Sequence, residues 1–229
     1  RTRWAELVGE PASGAGARKG VEVRVFSWAP FLSLPLPGEA KWSQHMAVTL
    51  HNGDLPEGLS FGASVAVDTE TMGLNPERDQ LCVVQLSAGD GNAHIVQLDR
   101  GTYSAPNLRA LMGNPDVLKI FHFARFDVAM IQRYLGVVTA PVYCTKVASK
   151  LVRTYTDRHG LKDLVKELAN VDLSKQQQSS DWGAHDLTEA QLAYAASDVL
   201  YLHEVKAVLD GMLQREGRME LAKACFALE

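Results

Sequence analysis

The sequence predicts an α/β fold with a mixed β-sheet flanked by helices, on three observations. Three β-rich apolar runs follow one another closely, "ASVAVD", "LCVVQLS" and "AHIVQL"; strand and helix patterns then alternate; and the last third is helical. The chain has 229 residues with 46% hydrophobic and 22% charged content, which suits one globular domain with a substantial core.

Residues 1–45 are rich in Gly, Pro, Arg and Trp and keep no sustained period of two or 3.6. They are expected to be a disordered leader or an upstream extension ahead of a native start at Met46. Residues 46–229 are expected to form the single domain. "VFSWAPFLSLPLPG" is broken by Pro30, Pro35 and Pro37 and is too short to span a bilayer, so no membrane partner is expected. Three cysteines without a repeated spacing fit neither a disulfide framework nor a zinc site, and point to a reducing cytoplasm.

The first three strands are expected to run antiparallel, with "GDGN" as the hairpin turn between the second and third. "APNLRALM" reads as a helix and "VLKIFH" as a strand. In "RFDVAMIQRYLG" apolar residues recur at Phe126, Met130, Ile131 and Leu135 before a Gly stop. "CTKVASKLV" and "HGLKDLVKELAN" read as helices, "SKQQQSSDW" as a loop, and a long helical segment opens at Thr188 with a capping box to Gln191.

Three places carry chemistry. In "SVAVDTETMGL", Asp68 and Glu70 lie two apart on a strand, so they share a face with Cβ atoms ~7 Å apart. That pair fits equally a solvated turn aided by Thr69 or a site for a hard divalent cation. In "FHFARFD", Asp127 sits in the first turn of an apolar helix, where complementing the helix dipole would by itself explain it. In "LAYAASDVLYL", Tyr194 and Asp198 stand four apart on one helix face, and Asp198 is the only acid of a segment otherwise poor in charge.

A formal net charge of −4 gives no broad positive field for a long polyanion, so a nucleic-acid partner would be short or held locally. The stretch from Lys146 to His159 nevertheless carries Lys150, Arg153 and Arg158 against the single acid Asp157. Such a run reads as a solvated face, or as a clamp for a terminal phosphate. Lys146, Arg158, His159, Ser179 and Ser180 are the candidates for that clamp, and Trp182 is expected to anchor their loop.

In order, "VDTET", "FHFARFD" and "YAASD" resemble the three exonuclease motifs of the DEDD superfamily, tyrosine branch. The similarity to the ribonuclease D group extends through "GLKDLVKELANVDLSKQQQSSDW" and "LTEAQLAYAASDVLYLHEV". Within that group, "DQLCVVQLSAGDGNAHIVQ", "KIFHFARFD", "CTKVASKL" and "RTYTDRHGLK" are most similar to nanoRNase C, a family of small oligoribonucleases. The resemblance implies a ribonuclease H-like fold in which Asp68, Glu70, Asp127 and Asp198 bind two divalent cations, Mg²⁺ or Mn²⁺, and Tyr194 positions or deprotonates the attacking water.

It further implies that Leu74 wedges against substrate bases, with Met72 at a place often held by leucine. Thr69, His122 and Phe123 would also meet the substrate, while Phe126 reads as core. The expected activity is 3′-5′ hydrolysis of short RNA, dinucleotides included, to nucleoside 5′-monophosphates. A trimmer of longer RNA or DNA ends and a non-catalytic nucleic-acid-binding module are the alternatives. A ring-shaped homo-oligomer is implied as well, and against the family the C-terminal end reads as shortened.

Overall fold

The computed structural model describes residues 22–25, 47–174 and 176–228, and the side chains of the last two ranges. Among the described residues seven strands form one sheet: β1 (Glu22–Val25), β2 (Ala47–Asn52), β3 (Ser64–Thr71), β4 (Leu81–Ser87), β5 (Ala93–Gln97), β6 (Leu118–Phe121) and β7 (Val142–Cys144). Their order is β1-β2-β5-β4-β3-β6-β7. The meander β3-β4-β5 is antiparallel, whereas β6 joins β3 in parallel, β7 joins β6 in parallel, and β2 joins β5 in parallel. The sheet is therefore mixed, as predicted.

Within the segment expected to lack order the structure describes one element, β1, which pairs antiparallel with β2; the rest of residues 1–45 lies outside the described residues. Two strands had not been anticipated. "AVTLHN" (β2) is too mixed in composition and "VYC" (β7) too short to stand out, and each is held by pairing in the sheet, β2 with β5 and β7 with β6.

Strand β4 occupies the centre, and all seven of its residues are buried. Leu81, Val83, Val84 and Leu86 are wholly removed from solvent, and each such side chain contributes roughly 1.5–3 kcal/mol of transfer free energy. The β4-β5 turn forms where expected: the Asn92 backbone N–H donates to Asp90 Oδ1 at 2.9 Å.

Among the described residues there are seven helices, the first two alternating with β6 and β7 and the rest following β7: α1 (Pro106–Gly113), α2 (Ala124–Leu135), α3 (Thr145–Val152), α4 (Leu161–Leu168), α5 (Glu189–Leu200), α6 (Leu202–Arg215) and α7 (Met219–Phe226). Helix α2 ends at Gly136 in the left-handed region, φ 65°, a conformation that favours glycine. Helix α5 opens on the expected capping box: Gln191 N–H donates to Thr188 Oγ1 at 3.2 Å, and Thr188 N–H donates to Gln191 Oε1 at 3.0 Å.

The long helical segment predicted from Thr188 is divided at Tyr201. The two halves have different tasks, since α5 packs on strands β2 to β5 and α6 packs on α3, α4 and α7. Helices α2 and α5 both contact β3 and β4, which brings their polar residues to the carboxylates of β3. Among the described residues no helix is long and apolar enough to cross a membrane.

Candidate active site

Strand β3 carries Asp68 and Glu70 side by side, and the register with β4 shifts just beyond Glu70, so the regular ladder ends at the acids. From α5, Asp198 reaches the same point: one carboxylate oxygen from each of Asp68, Glu70 and Asp198 lies within 4.8 Å of the other two. Asp127 comes from the first turn of α2 and is 3% exposed. Its Oδ1 accepts a hydrogen bond from Thr69 Oγ1 at 2.6 Å, and the carboxylate also accepts from backbone N–H groups at Thr69 and at Asp127 itself, so it links β3 to the start of α2.

These acids raise one another's proton affinity. Burial, against a backbone hydrogen bond at Thr69, pushes Asp68 up to about 7. Burial and then the charges of Asp68, Asp198 and Asp127 push Glu70 up to about 10. Burial first and Asp68 second hold Asp127 and Asp198 well above the ordinary carboxylate range. A cluster of hard oxygen donors that cannot all ionise alone fits divalent cations such as Mg²⁺ or Mn²⁺.

Tyr194 hydrogen-bonds to Asp198, and burial followed by the charges of Asp198, Glu70 and Asp68 raises its phenol above the ordinary tyrosine value. It is therefore a neutral donor at physiological pH. Trp182, 3% exposed, supports it from the 176–187 loop with ring centroids 6.0 Å apart, which is the anchoring expected of that tryptophan.

A cleft of about 660 Å³ opens over the acids. Thr69, Leu74, His122, Phe123, Lys146, Ser179 and Ser180 all line it, together with Phe126, which is half-buried and also packs against the core, as read from the sequence. Thr69 is buried with its hydroxyl engaged by Asp127, so it acts on that acid as well as on the cleft wall. Leu74 is 84% exposed on a fixed turn: Thr71 Oγ1 donates to Gly73 O at 2.6 Å, and Asn75 N–H to Asp79 Oδ2 at 2.9 Å. A Cβ at Gly73 would lie 2.2 Å from Asp79 Oδ2, so this close turn requires glycine.

Phe123 is half exposed with φ 69°, a conformation rarely taken by a bulky residue, and Lys146 Nζ lies 4.1 Å from its ring centroid. Burial and then Lys146 lower His122 to about 3, leaving it neutral, and its Nδ1 lies 2.9 Å from Thr145 Oγ1.

Arg158 and His159, the other two candidates for a phosphate contact, lie on the loop that leads into the cleft-lining residues 160–162. Arg158 is exposed, and His159 Nδ1 lies 2.8 Å from Ser149 Oγ. The same loop is held by Arg153, read from sequence as part of a solvated or phosphate-facing run. It is wholly buried, donates to Ser149 Oγ at 2.9 Å and to the Arg158 carbonyl at 2.7 Å, and pairs with Glu167. That network folds the loop inward around its guanidinium.

Sequence reasoning missed Lys162, Leu173, Ser174 and Gln178, which also line the cleft, and Gln85, which lies behind the acids. Only Gln85 carried a signal, as the one amide in an apolar run.

The profile of the 3′-5′ exonuclease domain family matches residues 53–214, and the chain belongs to that family. Within it, the similarity runs to DEDD exonucleases of the ribonuclease D and NrnC kinds. Ribonuclease D of Acidiphilium cryptum is 41% identical over 166 residues, 72% of this chain and 42% of that protein. Ribonuclease D of Gluconacetobacter diazotrophicus is 37% identical over 164 residues, 72% of this chain and 41% of that protein. The chain thus spans less than half the length of these curated relatives.

Among solved structures, Brucella melitensis NrnC bound to pGG is 55% identical and superposes with a TM-score of 0.77, covering 80% of this chain and 89% of that one. The same Brucella protein has been solved with bound Mg²⁺. Escherichia coli RNase D, an exoribonuclease involved in structured RNA processing, is 25% identical with a TM-score of 0.64, covering 72% of this chain and 44% of that one. These likenesses bear out the ribonuclease H-like exonuclease fold.

Proposed function

We propose that the chain is a metal-dependent 3′-5′ exoribonuclease of short oligoribonucleotides, dinucleotides included, that releases nucleoside 5′-monophosphates. The observation that carries this reading is the meeting of Asp68, Glu70 and Asp198, with oxygens within 4.8 Å of one another, beneath an open cleft. Asp127, bonded to Thr69 of β3, completes the set of four acids.

Asp68, Glu70, Asp127 and Asp198 would hold two divalent cations, Mg²⁺ or Mn²⁺, whose charge favours the attacking and leaving oxygens of a phosphodiester displacement. Tyr194, kept protonated by its surroundings, orients the attacking water from beside Asp198. The exposed Leu74 and half-exposed Phe123 offer apolar surfaces to the terminal bases. Lys146, Ser179 and Ser180, on the cleft wall, supply a cation and hydroxyls suited to the far phosphate.

The short substrate is supported by the size of the cleft, which suits a small ligand, and by the pGG held by the Brucella neighbour. The acidic balance of the chain agrees with it. A homo-oligomeric ring and a cytoplasmic setting belong to the same reading; three cysteines without a repeated spacing accord with a reducing compartment, and light scattering tests the ring.

The test is hydrolysis of 5′-labelled RNA from two to about twenty nucleotides with Mg²⁺ or Mn²⁺. The expected rate rises steeply toward two nucleotides and vanishes in EDTA. A flat profile or a preference for long strands would assign the chain to end trimming instead.

A further inference from the structure

Gln85 stands where β4 is otherwise apolar. It is wholly buried, does not line the cleft, and pairs in register with Asp68. Its Nε2 lies 3.3 Å from Asp68 Oδ2 and 3.4 Å from Glu70 Oε1, while its Oε1 has no hydrogen-bond partner.

The orientation of this amide follows from charge. Ionised carboxylates only accept, and a primary amide has two N–H groups on one nitrogen, one for each acid. Turning the amide over would set its oxygen against both acids. A buried acceptor without a partner is unfavourable, and methionine would fill the same space without one. The amide is therefore suited to what its nitrogen does.

We propose that Gln85 is a positioning residue of the metal centre: its amide ties Asp68 Oδ2 to Glu70 Oε1 from behind and sets the spacing at which the two acids receive divalent cations. This inference rests on the metal-dependent reading above. Gln85 touches neither cleft nor substrate, so its effect is on cation affinity before anything else. The partial positive charge of its N–H groups offsets part of the repulsion between the two acids when both are ionised.

The test is Mn²⁺ binding, followed by the electron paramagnetic resonance signal of the free ion, in the whole chain and its Gln85→Met and Gln85→Leu variants. Wild-type binding is the control: its absence would remove the metal reading itself, and this inference with it. If wild type binds, the expected result is affinity weaker by about tenfold or more in a folded variant. The metal-free melting temperature should stay near that of wild type, because losing the amide's bonds to the acids offsets losing its unpaired oxygen, and hydrolysis should recover at saturating Mn²⁺. Affinity and activation midpoint within threefold of wild type in a folded variant would overturn the proposal. Loss of the fold in both variants would also overturn it, by assigning Gln85 to the core.

Discussion

Asp198→Asn separates the catalytic account from a structural one, because it should make the protein more stable and less active at once. The Asp198 oxygen lies within 4.8 Å of oxygens on Asp68 and Glu70, and two unit charges at that distance repel by about 3.5 kcal/mol at an effective dielectric of ~20. Protons held by the cluster relieve part of this near neutral pH, so the gain on removing one charge is expected to be about 1–2 kcal/mol at pH 8. For a chain of this size that raises the metal-free melting temperature by about 2–8 °C.

The asparagine keeps the shape of the aspartate and can still accept from Tyr194. Hydrolysis should nevertheless fall by more than ~100-fold, beyond the loss usual for removing a group that merely supports a ligand. The assay is calorimetric melting in EDTA beside hydrolysis of a ribodinucleotide with Mg²⁺. A lower metal-free melting temperature, or activity within tenfold of wild type, would refute the reasoning.

Other consequences follow from the same geometry. Asp68 and Glu70 bind protons more tightly folded than unfolded, about 7 against 3.8 and about 10 against 4.5, so their stabilisation is complete at acid pH and lost as pH rises through the folded values. Metal-free protein should therefore melt at falling temperature from pH 5 to 9, and Mg²⁺ should stabilise it more at pH 8 than at pH 5, as read by melting with and without EDTA. Tyr194→Phe keeps the ring beside Trp182 and removes the hydroxyl; kcat should drop ~10²–10⁴-fold while Mn²⁺ binding persists in a direct titration. Leu74→Ala alters a side chain 84% exposed, so stability should stay within ~0.5 kcal/mol, while the dinucleotide KM rises about tenfold in steady-state kinetics.

What was legible in the sequence was set by pattern. β3, β4, β5 and β6, and the capped start of α5, each carry a local signal strong enough to survive folding. β2 and β7 do not, because their pairing comes from neighbours distant in sequence. The acids divide in the same way. Asp198 stood out as one charge in an apolar helix, whereas Asp127 had an adequate local explanation in the helix dipole, and only its hydrogen bond to Thr69, 58 residues away, ties it to β3.

Arg153 was misread for a related reason. A run of basic residues gives no sign of which one is buried, and the partners that bury this one include Glu167 in the next helix. Arg158 and His159 share the loop that this guanidinium ties down, through the Arg158 carbonyl and through Ser149. Gln85 was visible but unassigned, because its meaning depends on the strand register that sets it opposite Asp68.

The central claim is that four acids from β3, α2 and α5 make one divalent-metal centre on which a short RNA is cleaved. Anomalous diffraction at the manganese edge, from crystals grown with Mn²⁺ and a non-hydrolysable ribodinucleotide analogue, tests it most directly. Two manganese peaks are expected, held by Asp68, Glu70, Asp127 and Asp198, with the scissile phosphate against them and a terminal base at Leu74. Manganese bound elsewhere, or an analogue lying outside this cleft, would contradict it.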